Sequence, residues 1–136
     1  MHLVVFTDGA SRGNPGPASF GFVIKTKDGL ILHQEGKAIG PQTNNFAEYT
    51  ALLSALTYIE KYLIKDTPIK VECFLDSLLV VSQLNGVYKI RNSALFSLNS
   101  GIKDISKRLG RVSFTHVRRY KNILADKLAN IALDNS

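Results

Sequence analysis

Asp8, Glu48, Asp76 and Asp126 are the side chains of this sequence best suited to chemistry. Leu3-Val4-Val5-Phe6-Thr7 runs into Asp8, and Ile69 to Leu75 runs into Asp76. Glu48 stands one helical turn before Leu52, and Asp126 follows Leu124-Ala125. A carboxylate set among apolar neighbours needs a compensating partner. Four of them brought together would supply the hard oxygen ligands for two divalent ions about 4 Å apart, with positions left for water and phosphate. One ion would acidify the attacking water and the other would stabilise the leaving oxygen, which is phosphodiester hydrolysis. No His/Cys set has zinc spacing, so the expected cofactor is Mg2+ or Mn2+, two ions per site. Each carboxylate also has a plain structural reading. Asp8 suits an Asx-turn, Asp76 an N-cap, Glu48 a first-turn acid facing a helix dipole, and Asp126 a surface charge. Two strand-end aspartates already adjacent weigh the set toward function.

The bulk composition bounds the class of protein. The 136 residues are 45% hydrophobic and 21% charged, which is one domain with a real core and excludes a disordered chain. The net charge is +6. Residues 1–68 hold six basic and six acidic side chains, and residues 69–136 hold eleven and five, so the whole excess lies in the second half. A one-sided basic excess suits a polyanionic partner, usually nucleic acid, and on charge alone suits a merely soluble basic protein equally well. No apolar run reaches membrane-spanning length and no signal-peptide pattern opens the chain, so a cytoplasmic protein with no membrane partner is expected. The single cysteine, Cys73, lies in the apolar run Val71-Glu72-Cys73-Phe74-Leu75 and reads as core filler.

The elements that must position the carboxylates follow from periodicity. Strands are predicted over Leu3 to Thr7, Ser19 to Thr26 and Leu30 to Ala38, with Lys27-Asp28-Gly29 as a hairpin signal and Gly40-Pro41 as a break. Asn45 suits an N-cap with Glu48 at N3, and Leu52, Leu56, Ile59 and Leu63 mark one helix face. Strand Ile69 to Leu75 follows. Asp76-Ser77 then caps a short helix to about Leu84, and Asn92 or Ser93 opens another to about Leu109, closed by Gly110. Arg111 to Val117 is the fifth strand, and Asn122 caps a last helix through Leu133. The order β-β-β-α-β-α-α-β-α implies an α/β fold, a five-stranded mixed sheet with strands one, four and five parallel. Ligands in such sheets collect at the carboxyl ends of the parallel strands, where Asp8 and Asp76 fall.

The motifs resemble ribonuclease H type 1 along the whole chain. Phe6-Thr7-Asp8-Gly9-Ala10-Ser11 with Gly13 to Ala18 is similar to the family's first motif, and Thr43-Asn44-Asn45 with Ala47-Glu48 to its second. Leu75-Asp76-Ser77 is similar to the third, and His116 to Asn122 with Leu124 to Ala129 to the fourth. The resemblance implies a ribonuclease H-like fold and an endonuclease that cuts the RNA strand of RNA–DNA hybrids, leaving 5′-phosphate and 3′-hydroxyl ends. It implies that Asp8, Glu48, Asp76 and Asp126 ligate the metals. It also implies that Asn14, Asn44 and Asn45 contact substrate and that Thr43 holds a phosphate of the DNA strand. Short amides on Gly/Pro-rich loops are suited to a wide minor groove and its 2′-hydroxyls. The expected partner is the hybrid duplex, with double-stranded RNA left open, and the chain is expected to act as a monomer.

Three departures from the family pattern stand out. Gly86 to Gly110 has room for about one helix, so the basic protrusion of many bacterial relatives is expected to be absent or reduced. Lys89 and Arg91, or Lys103, Lys107 and Arg108, could take over its grip. The loop before Asp126 holds Arg118, Arg119 and Lys121 but no histidine. His116 is expected to pack on its strand beside Val112 and Phe114, and Arg118 is expected to hold the scissile phosphate without acting as a base. Leu78 stands where relatives often carry a polar group. Two other readings remain at this point: a nuclease of the same fold acting on DNA or double-stranded RNA, and a non-catalytic hybrid-binding module. The asparagine set speaks against the first, and an acidic quartet facing phosphate against the second.

Overall fold

The computed structural model describes residues 1–136. Five strands form one sheet in the order β3-β2-β1-β4-β5. They span His2–Ser11 (β1), Gly16–Thr26 (β2), Ile31–Gln42 (β3), Ile69–Leu75 (β4) and Gly110–His116 (β5). β1, β4 and β5 run parallel, while β2 pairs antiparallel with both β1 and β3. The helices are α1 (Asn44–Tyr58), α2 (Leu78–Leu84), α3 (Ser93–Leu109) and α4 (Ile123–Asp134). A single helix therefore separates α2 from β5, and the protrusion is missing as expected. No helix is long and apolar enough to cross a membrane.

Alternation along β1 sorts the two faces of the sheet. Leu3, Val5 and Thr7 are buried toward the layer of α1, α2 and α3, while Val4 and Phe6 are half-buried on the opposite face. Leu52, Leu56 and Ile59 reach the core from the α1 segment, and Ile102 and Leu109 from α3. Each such fully buried aliphatic side chain contributes about 1.5–3 kcal/mol. On the other face α4 lies across β1, β2 and β3. Ser19 Oγ donates to the Ala129 carbonyl at 2.5 Å and ties α4 to β2.

Several boundaries differ from the sequence expectation. β1 does not stop before Asp8. It continues to Ser11 because β2 goes on pairing with it after β4 has ended. β3 runs through Gly40-Pro41, an edge position where a missing N–H costs no ladder bond. α1 is capped by Thr43, not Asn45: the Thr43 hydroxyl accepts from Phe46 N at 3.2 Å. Glu48 consequently falls in the second turn and cannot close a capping box. α1 ends at Tyr58, and a π-helical turn, Ile59–Leu63, completes the face marked by the leucines. Asp76 does not cap α2, since Ser77 Oγ accepts from Val80 N at 3.2 Å and leaves the Asp76 carboxylate outside the cap. His116 is exposed, not packed, because the buried face of edge strand β5 ends at Phe114.

Glycines on the strands set how close the helices come. A Cβ on Gly9 would lie 2.3 Å from Glu48 N, and one on Gly21 would lie 2.3 Å from the Ala125 carbonyl. Gly9 thus seats α1 on β1, and Gly21 seats α4 on β2. Gly21→Ala should lower stability by about 1–3 kcal/mol through overpacking. Urea unfolding would measure it, and a loss within error would mean that α4 shifts freely.

Candidate functional site

The parallel register places the first two carboxylates. Thr7 and Leu75 are the last matched pair of β1 and β4, so Asp8 and Asp76 are the next residues on adjacent strands. The strands part there, since β4 ends while β1 follows β2. α1, seated on Gly9, brings Glu48 to the same point. One oxygen each from Asp8, Glu48 and Asp76 lies within 4.8 Å of the others. Asp126 enters from α4 and completes the wall of a cleft of about 620 Å³. All four predicted carboxylates therefore meet, three tightly and Asp126 at the margin. Asp8 and Glu48 are 5% and 6% exposed, and Asp76 and Asp126 are half-buried.

Uncharged partners hold the outer two acids. Asn122 is 1% exposed, and its amide donates to the Thr7 carbonyl at 2.8 Å and to Asp76 Oδ2 at 3.1 Å. Asn122 was expected only as a cap of α4, but its side chain makes no capping bond. Asn130, one turn past Asp126, donates to the Asp126 carbonyl at 2.9 Å and to Oδ1 at 3.3 Å. No sequence signal singled out Asn130; the i, i+4 spacing on α4 was the available hint.

The cleft is charged for a cation. Burial first, then the charges of Glu48 and Asp76, hold the Asp8 carboxyl far above the usual carboxylate range. Burial raises Glu48 as well, while a hydrogen bond with Asp8, the Gly9 amide and the Arg119 charge pull it back. Both carboxyls are therefore held above the usual carboxylate range, Asp8 more strongly than Glu48. Glu48 Oε2 is buried without a hydrogen-bond partner. An orphaned buried carboxylate oxygen among three oxygen donors fits a hard divalent cation and does not fit a nitrogen- or sulfur-seeking metal.

The predicted substrate residues gather at the α1 N-terminus. Asn44 and Asn45 line the same cleft. Asn14 Oδ1 accepts from Asn44 N at 3.0 Å, so the first loop caps the helix from outside. Ser11 Oγ lies 2.9 Å from Asn44 Oδ1 and 2.6 Å from the Gly13 carbonyl. One hydroxyl proton cannot serve both acceptors, so the Asn44 amide is better turned to donate to Ser11, which then donates to Gly13. Thr43 is exposed beside this amide cluster. Arg118 is placed differently from the expectation. It lines a neighbouring cleft with His116 and Tyr120, whereas Arg119 is the cation on the wall of the acidic cleft. The turn Arg119–Lys121 rotates successive side chains apart, a detail that residue order does not reveal.

The metal-free cluster carries a pH signature. The raised Asp8 pKa means that the folded state holds this proton more tightly than the unfolded chain. That contribution is full below about pH 4 and drains away as pH rises toward the folded value. Asp8→Asn should therefore add about 2 kcal/mol of stability without metal at pH 7.5, a midpoint rise of roughly 7 °C, and the gain should vanish near pH 4. Calorimetry in chelator at both pH values checks it; equal midpoints at pH 7.5 would mean that the carboxylates do not repel. Added Mg2+ or Mn2+ should raise the wild-type midpoint and leave the variant less affected.

Comparison with known proteins places the chain. Residues 6–132 match the family described as reverse transcriptase-like. Ribonuclease HI of Halobacterium salinarum is 40% identical over 131 residues, covering 96% of this chain and 64% of that protein. A bifunctional protein of Mycobacterium tuberculosis is 37% identical over 135 residues, covering 98% of this chain and 36% of that protein. The chain thus spans about a third of the mycobacterial relative and under two-thirds of the haloarchaeal one. The crystal structure of the Halobacterium salinarum ribonuclease H1 superposes with a TM-score of 0.92 at 39% identity, covering 100% of both chains. The LC11 ribonuclease H1 in complex with an RNA/DNA hybrid superposes with a TM-score of 0.88 at 39% identity, covering 98% and 97%. With its motifs, sheet order and carboxylate cluster in agreement, the chain belongs to the ribonuclease H type 1 family.

Proposed function

We propose that this protein is a metal-dependent endonuclease that hydrolyses the RNA strand of RNA–DNA hybrids and leaves 5′-phosphate and 3′-hydroxyl ends. The observation that carries the reading is the meeting of Asp8, Glu48 and Asp76 within 4.8 Å, with a buried Glu48 oxygen left unpartnered. With Asp126 they would hold two Mg2+ or Mn2+ ions. Such ions, when bound, supply a more acidic water and charge stabilisation for the phosphorane-like transition state. The hybrid complex of the LC11 relative supports the choice of duplex.

The chain's own residues divide the remaining work. Asn122 and Asn130 fix Asp76 and Asp126 against rotation. Arg119 takes the role first assigned to Arg118: its guanidinium faces the acidic cleft and would pair with a non-bridging oxygen of the scissile phosphate. A guanidinium offers donors only, so the role is to hold the phosphate and not to act as a base. Asn44 and Asn45, on the cleft wall, would read the 2′-hydroxyls in the minor groove. Asn14 holds the α1 end in place. Thr43, exposed at the N-terminus of α1, would hold a DNA-strand phosphate, where the helix dipole favours negative charge. We read the protein as a cytoplasmic monomer.

A strand-labelled digest tests this directly. Hybrid, double-stranded RNA and double-stranded DNA are incubated with and without Mg2+ or Mn2+. RNA-strand cleavage of the hybrid alone, only with metal, is the expected result; DNA cleavage or metal-independent turnover would sink the reading. Asp8→Asn should abolish cleavage while hybrid binding persists. Arg119→Ala should lower kcat by about a hundredfold, the scale of losing one preorganised donor, with a smaller effect from Arg118→Ala. The reverse order would return the phosphate to Arg118.

A further inference from the structure

Two clefts meet behind the loop that joins β5 to α4. One, of about 170 Å³, lies between Phe6, Lys25 and the start of α4. The other, of about 470 Å³, is walled by His116 and Arg118. Tyr120 and Lys121 line both, so the two form one track. No carboxylate lines either. The acidic cleft, by contrast, carries four carboxylates. Asn122 lies between them: it lines the smaller cleft and bonds to Asp76 with the same side chain.

The track combines cations with one open ring. Tyr120 is 65% exposed, and Ile123 beside it is 66% exposed. Lys121 Nζ lies 6.0 Å from the Tyr120 ring centroid, and Lys25 Nζ lies 5.3 Å from that of Phe6. Arg118 is exposed at the far end. Cations in series along a groove match a phosphate backbone, and an open ring between them offers a stacking face to a base. A duplex keeps its bases inside and has no base to offer a surface tyrosine. A single strand does.

We propose that this track binds a single-stranded extension of the duplex engaged at the acidic cleft, with a base against Tyr120 and phosphates at Lys25, Lys121 and Arg118. The inference rests on the hybrid-nuclease reading for the duplex that supplies the strand. It gives Arg118 a task that the acidic cleft does not. A junction between hybrid and single strand becomes the preferred substrate, and the tail adds affinity that depends strongly on salt.

The test measures anisotropy in chelator with a short blunt hybrid, the same hybrid carrying an oligothymidine tail, and free oligothymidine. The tail should tighten binding at least about fivefold, the scale of one base–aromatic stack. Tyr120→Ser and Lys25→Glu should each remove that gain while blunt-hybrid affinity and cleavage stay within about twofold. A tail without effect, or a gain that survives both variants, overturns the proposal. So does a concentration-dependent dimer that Tyr120→Ser dissolves, since the face would then belong to a second copy. If blunt hybrid is neither bound nor cut, the nuclease reading fails instead. Free oligothymidine binding that both variants abolish would still support the track.

Discussion

Three carboxylates held within 4.8 Å of one another are the constraint that the rest of this structure serves. At an effective dielectric near 20, two full charges at that separation repel by about 3 kcal/mol. A flexible chain would relieve this by swinging the side chains into solvent. Here the sources are a strand, a second strand in parallel register and a helix seated against backbone. None can rotate away without breaking the sheet or lifting α1. A proton held between these acids would relieve part of the repulsion, and a divalent cation would relieve more.

The small and uncharged residues around the cluster make sense on the same ground. Gly9 and Gly21 bear no side chain because backbone from α1 and α4 occupies the space. Asn122 and Asn130 hold the outer carboxylates with amide donors, which orient an acid without cancelling its charge. A lysine in either place would have satisfied the acid and spoiled it as a ligand. Arg119 is the one cation on that wall, and it sits on a turn, where it can face an incoming phosphate.

The basic excess is kept apart from the acids. Arg118, Lys121 and Lys25 line the clefts behind Asn122, outside the carboxylate wall. Such separation lets a polyanion be attracted to the molecule as a whole while the reactive spot stays free for cations.

Residue order determined a good deal about this protein. The alternation and leucine spacing announced five strands and four helices in the correct order, and strand-end placement announced the adjacency of Asp8 and Asp76, because parallel β-α-β crossovers leave few topologies open. The motif set announced the family. Tertiary structure decided what depends on competition between near-equal local choices. Thr43 and Asn45 are both good caps, and only the approach of α1 to Gly9 selected Thr43 and turned Glu48 inward. Ser77 took the capping duty that Asp76 could have performed. Asn122 left its own helix end to bond across to β1 and Asp76, a contact between residues 46 positions apart. Arg118 and Arg119 are adjacent and chemically alike, and the hand of one short turn sent them to different clefts. Local chemistry in the chain cannot rank such alternatives, since the energies that separate them come from backbone approach and from charges met only after folding.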